Sequence, residues 1–139
     1  MKKPIENYLE FNIISRYTRK QALEDGLLID VSNLAQERGF KIPVSITKQV
    51  WNLVITPDDS AKRAGVDETG CLWDVIHMLY TALTTGINRV DKENYNTQEL
   101  LYSLYIFKNG ESKVTTLKAV CLPGDNMEPV FTIMMPEED

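Results

Sequence analysis

CLWDVIHMLYTALTTG, residues 71–86, decides the fold class. Leu72, Val75, Ile76, Leu79, Ala82 and Leu83 recur at spacings of three and four, which stacks their side chains on one helical face. Trp73 and Tyr80 widen that face until only a narrow line of Asp74, His77, Thr81, Thr84 and Thr85 stays polar. A helix apolar around most of its circumference lies in a core. It is too short for a bilayer, which needs roughly 20 apolar residues. Asp67 or Thr69 can cap its start, and Gly86 suits the left-handed position at its end.

Beyond this helix the character changes to β. Residues 100–107, LLYSLYIF, are rich in the aromatic and branched side chains that suit a pleated surface. Asn109-Gly110 is a two-residue hairpin signal, because both turn positions need positive φ. That turn pairs Lys108 with Glu111, Tyr105 with Val114 and Tyr102 with Leu117. SKVTTLKAVCL returns, PGDN turns, and VFTIMM adds a further strand, giving an antiparallel meander of three strands or more. Before the helix the elements are short. Thr18 and Gln21 form a capping box opening a helix that Gly26 stops. LLI (27–29) is extended, and Asp30 or Ser32 caps a second helix closed by Gly39. FKIPVSI is extended at Pro43, and Thr47 caps a third helix containing Val50, Trp51 and Val54. Residues 1–16 read as an extended arm or short strand, 56–70 as the main loop, in which only AKRA (61–64) could make a helical turn, and 136–139 as an acidic tail. Helices first and strands last predict an α+β fold: short N-terminal helices and one long buried helix packed on a C-terminal antiparallel meander, within a single domain over 1–139.

A chain of 139 residues buries enough surface for a core without disulfides or metal. The N-terminus lacks a continuous apolar stretch of the kind a secretory signal needs. With two cysteines, that predicts a cytoplasmic protein with free thiols. The net charge of −5 is uneven: Asp125, Glu128, Glu137, Glu138 and Asp139 follow Pro123 with no lysine or arginine among them. This argues against phosphate binding at that end and suits either a solvated tail or a docking surface for a basic protein.

Few residues invite chemistry. Asp74 and His77, three apart on one stripe, could form half of a nucleophilic constellation, but a lone histidine is expected to be a hydrogen-bonded core or boundary residue. Cys71 lies well round the helix from His77, so Cys121 on a strand beside the helix is the better-placed thiol. One histidine and two distant cysteines lack any zinc spacing, and neither DDSAKRAG nor GDNMEP alternates oxygen ligands as a calcium loop does. No phosphate-binding glycine loop, dinucleotide fingerprint or GxSxG is present, so no cofactor and no metal are expected. Tyr102, Tyr105 and Phe107 on a strand suit base stacking, but without a basic surround they fit core and cross-strand pairs better. Lys62 and Arg63 could contact a phosphate or carboxylate, but without a glycine-rich cradle they fit a solvated pair in the main loop better. Asp125 and Glu128 are expected to organise a turn, with a ligand contact as the lesser alternative.

Three stretches, YTRKQALEDGLLIDVS (17–32), GCLWDVIHML (70–79) and LKAVCLPGDNMEPVFTIMMPEED (117–139), together resemble an uncharacterised bacterial family. Its members are single short domains found in bacterial genomes, often in plasmids, phages and other mobile elements. No activity is established for it, so the resemblance implies a setting and no mechanism. Trp73, Asp74, Cys121, Pro123, Gly124, Asp125, Glu128 and Pro129 match its pattern. Where this chain has Cys71 the pattern often has arginine, and where it has His77 an apolar or aromatic residue, which argues against a Cys71–His77 pair. The expectation is a non-enzymatic accessory factor of a mobile element that binds another protein or itself, with Trp73, Asp74, Cys121, Asp125 and Glu128 as candidate binding residues. The alternative is a small enzyme or ligand-binding domain using Asp74, His77 and Cys121. A weaker third class is a nucleic-acid factor using Arg16, Arg19 and Lys20.

Overall fold

The Asn109–Gly110 turn sets the register of the sheet. In the computed structural model, which describes residues 18–90 and 99–138, both turn residues have positive φ, 55° and 81°. The flanking strands β3 (Glu99–Lys108) and β4 (Glu111–Pro123) pair Lys108 with Glu111, Tyr105 with Val114 and Tyr102 with Leu117. β5 (Pro129–Met134) then runs antiparallel to β4. The fold is α+β.

The sheet does not end with the meander. β1 (Leu28–Asp30) and β2 (Val44–Thr47) form an antiparallel pair, and β2 lies parallel to β5. The result is a five-stranded mixed sheet in the order β1-β2-β5-β4-β3. The segments expected only to be extended are therefore its second half. Val44, Ser45 and Ile46 are all fully buried, as suits a strand covered on both faces. Phe131 N–H also donates to the Pro43 carbonyl, lengthening the junction.

Among the described residues, four short helices fill the connections: α1 (Arg19–Glu24), α2 (Ser32–Arg38), α3 (Lys48–Val50) and α4 (Asp59–Arg63). α3 widens into a π-helical stretch, Trp51–Ile55, in which Thr56 N–H reaches back to the Trp51 carbonyl. The capping box at Thr18 and the cap at Thr47 form as their residue types predict. α2 differs, because Val31 occupies its N-cap and makes no side-chain bond. Asp30 instead accepts from both the N–H and the hydroxyl of Ser32, whose oxygen receives Val44 N–H. Ser32 thus joins α2 to β2.

The long helix, α5 (Glu68–Thr85), begins three residues earlier than the apolar run because Asp67 accepts Gly70 N–H. It ends at Gly86 in the left-handed region, φ 78°. Val75, Ile76, Leu79 and Ala82 meet Leu100, Tyr102, Leu104, Leu117, Ala119 and Ile133 from the sheet in one continuous core. The Tyr102 hydroxyl crosses that core to donate to the Val75 carbonyl at 3.1 Å. Residues 56–70 hold more structure than a loop. Asp58 caps α4 and also accepts Asn109 N–H from the hairpin turn, 51 residues away. The expected N-terminal arm lies outside the described residues.

Candidate functional site

The polar stripe of α5 meets the end of α2. Arg38 Nε donates to His77 Nδ1 at 2.7 Å, and its guanidinium lies 4.1 Å from the centre of the Tyr80 ring. Trp73, one turn before His77, stacks on the imidazole with the rings 11° from parallel. Gly39 permits this approach, because a Cβ there would stand 3.0 Å from the Tyr80 ring. An imidazole that accepts a guanidinium hydrogen bond carries its proton on Nε2. Its basic nitrogen is thus occupied by a structural bond between two helices.

Asp74 faces away from this stack. With Cys71 and Val66 it lines a cleft of about 170 Å³ whose other wall is the strand segment Leu104–Phe107 and Ser112. Burial raises the Asp74 carboxyl above its ordinary value. Burial also pushes the Cys71 thiol up, reinforced by Asp74, Asp67 and Glu68. Reactive cysteines need the opposite surroundings, with positive charge that favours thiolate. The cleft joins Asp74 to a thiol that its own environment disarms.

Cys121 is not brought to either group. It pairs with Phe131, nine residues along β4 from the cleft residue Ser112, which is roughly 30 Å of strand. Towards the helix stand the rings of Phe131, Phe40 and Tyr80, packed edge to face in succession. Both cysteines are free. The grouping of Asp74, His77 and Cys121 expected for an enzyme does not form, because the strand places Cys121 at the end of the sheet opposite the cleft.

Asp125 and Glu128 have structural partners. Asp125 accepts Arg19 N–H at 2.8 Å and Lys20 N–H at 3.0 Å, closing the start of α1 from 106 residues away. Glu128 accepts Asn126 N–H, and its side chain fills the space beside Gly124 where a Cβ would clash. Arg19 itself donates to Ser45 Oγ at 2.7 Å and stands 3.8 Å from Asp30, so its side chain is engaged within the fold. Arg16 lies outside the described residues. The acidic end is partly docked rather than solvated throughout: Glu138 receives the Thr47 hydroxyl and Met135 N–H, while Lys118 donates to the Glu138 carbonyl.

Sequence reasoning passed over Arg38 and Asp58, and took Glu138 only as part of the acidic end. Asp58 carried a signal, since an aspartate three residues before Ala61 has N-cap spacing. The other two act across long sequence separations and carried none. A wider hollow of about 560 Å³ lies between Leu27, Thr47, Lys48, Asn52, Leu53 and Glu138, but its carboxylate is already bonded to Thr47 and Met135. Among the described residues, no three His, Cys, Asp or Glu side chains gather as a metal ion would require. No helix among them is long and apolar enough to cross a membrane.

What stays unsatisfied is apolar surface. Tyr105 and Val114 are opposite one another on the sheet face away from α5, and they are 71% and 61% exposed. No curated protein and no solved structure matches the chain. A family model described as "Family of unknown function (DUF6573)" matches residues 5–139, and the chain belongs to that family.

Proposed function

We propose that this domain is a non-enzymatic accessory factor that acts by binding another protein, with the β3–β4 hairpin as its contact surface. The observation that carries this is the Tyr105–Val114 pair. Two large apolar side chains, directly opposed across a ladder, stand mostly in solvent on a hairpin whose turn is anchored to α4. Tyrosine gives large contact area with few rotatable bonds, which is why it is common where binding energy concentrates. The chemistry-bearing side chains support the same view, since His77, Asp125, Glu128 and Glu138 are all held by bonds that build the fold.

A bacterial mobile element is the setting we propose, on the resemblance of the three stretches quoted above. Affinity capture from the host with the intact chain and with a Tyr105→Ser, Val114→Thr double variant tests the proposal. A partner recovered with the intact chain and lost with the variant supports it. Recovery that is the same for both overturns the hairpin as the contact surface.

A further inference from the structure

Among the described residues β3 is the last strand of the sheet, and its outer edge has no neighbouring strand there. A two-residue turn makes Lys108 and Glu111 a hydrogen-bonded pair. Alternation then sends the N–H and C=O groups of Leu104 and Ile106 to β4. Those of Leu101, Ser103, Tyr105 and Phe107 point to the outer edge. Residues 88–90 close part of that edge. Val90 N–H donates to the Leu101 carbonyl, Ser103 N–H to the Asn88 carbonyl, and the Asn88 side chain to the Ser103 carbonyl. Past Ser103 the cover stops. Among the described residues, the backbone groups of Tyr105 and Phe107 on this edge find no partner. The cleft lined by Val66, Cys71 and Asp74 runs beside them.

Proteins usually protect an open edge by charge, by proline or by a covering segment. Here the cover is left off over one short stretch, next to the cleft and next to the aromatic side chain of Tyr105, which is 71% exposed. We infer that the outer edge of β3 at Tyr105–Phe107 takes up an extended peptide in which basic and apolar residues alternate. This rests on the protein-binding reading and names the mode of contact. An added strand takes main-chain hydrogen bonds from Tyr105 and Phe107, and its side chains alternate between the two sheet faces. Those on the helix side meet Asp74, with Asp67 and Glu68 at the start of α5 close by; those on the other side meet Tyr105. Of the nearby positive groups, Lys108 donates to the Leu53 carbonyl and Lys113 pairs with Glu111, while Lys62 lies beside Asp67 and Glu68 and offsets part of their charge. A second copy of the chain is a poor occupant. The open stretch Tyr105–Phe107 spans only about 10 Å, and β3 paired with β3 would set two such acidic clefts against each other.

The test uses the full chain and a phage-displayed library of random linear nonapeptides. Sequences alternating Lys or Arg with Val, Ile or Tyr are expected to enrich. A synthetic peptide from the selection should bind Tyr105→Pro, which lacks that outward N–H, about tenfold more weakly than Tyr105→Ala, which keeps it. Proline at an outward-facing edge position leaves the β3–β4 ladder intact. Asp74→Asn should weaken binding several-fold and flatten its salt dependence. Amide exchange at Tyr105 and Phe107 in the unaltered chain should slow on adding the peptide, and this holds even if Tyr105→Pro fails to fold. No enrichment, binding indifferent to Asp74→Asn, or protection at other amides overturns the inference. If selection fails while a partner still depends on the Tyr105–Val114 pair, the peptide edge is wrong and protein binding stands; if both fail, both are wrong.

Discussion

Replacing Tyr102 with phenylalanine isolates the bond that joins the long helix to the sheet. The ring is fully buried and stays in place, so the change removes one oxygen and the 3.1 Å hydrogen bond to the Val75 carbonyl. A bond of this kind contributes about 1 kcal/mol net. Unfolding entropy of about 2.1 cal/mol/K per residue, over 139 residues, converts that to a fall in Tm of roughly 3 °C. Tyr102→Ala also loses the ring and opens a cavity, at about 3–5 kcal/mol, or roughly 10–17 °C on the same scale. Thermal unfolding followed by circular dichroism at two wavelengths measures both. Phenylalanine at least as stable as tyrosine, or an alanine variant losing under about 1 kcal/mol, would refute the packing of α5 on β3 through this residue.

Three further outcomes follow from the geometry. Hydrogen bonds from Asn109 N–H, the Ser60 hydroxyl and Ala61 N–H hold the Asp58 carboxyl at about 2, below its ordinary 3.8. Its stabilising effect is therefore complete above about pH 4 and is lost as pH falls through about 2. Urea midpoints of the intact chain should drop across that window more steeply than those of Asp58→Ala, and parallel curves would contradict this. Asp125→Ala leaves the Arg19 and Lys20 N–H groups without their acceptor and should cost about 1 kcal/mol, with faster amide exchange confined to α1; unchanged exchange there would count against the cap. Gly39→Ala puts a Cβ against the Tyr80 ring at φ 125° and should cost more than about 1 kcal/mol, measured by urea unfolding, whereas a neutral result would mean that Tyr80 moves aside freely.

The local rules of turns and caps were readable at the level of single residues. Asn109-Gly110 set the hairpin register correctly at all three pairs derived from it, and Thr18, Thr47, Gly39 and Gly86 acted as their types predict. Parallel pairing of β2 with β5 was not readable. A crossover from residue 47 to residue 129 leaves no periodic trace, and a four-residue strand is too short to show alternation. At the candidate site the failure had a related cause. Asp74 and His77 share a stripe in sequence, yet Arg38 claims the histidine from another helix, while Asp74 opens on a cleft formed by a strand thirty residues later. Cys121 shares the helix-facing side of the sheet, as its alternation with Leu117 and Ala119 requires, but strand length carries it away from the cleft. The open edge beside Tyr105 depends on where residues 88–90 stop, and side-chain patterns do not encode that.

The proposal that the hairpin is the contact surface is tested most directly by a photo-crosslinking amino acid placed at Val114 in cells of the host, with the same group at the exposed positions Glu24 and Lys41 as controls. The prediction is a discrete higher-mass adduct containing a second protein at Val114 and none at either control. Adducts at Glu24 or Lys41 with Val114 silent would contradict it.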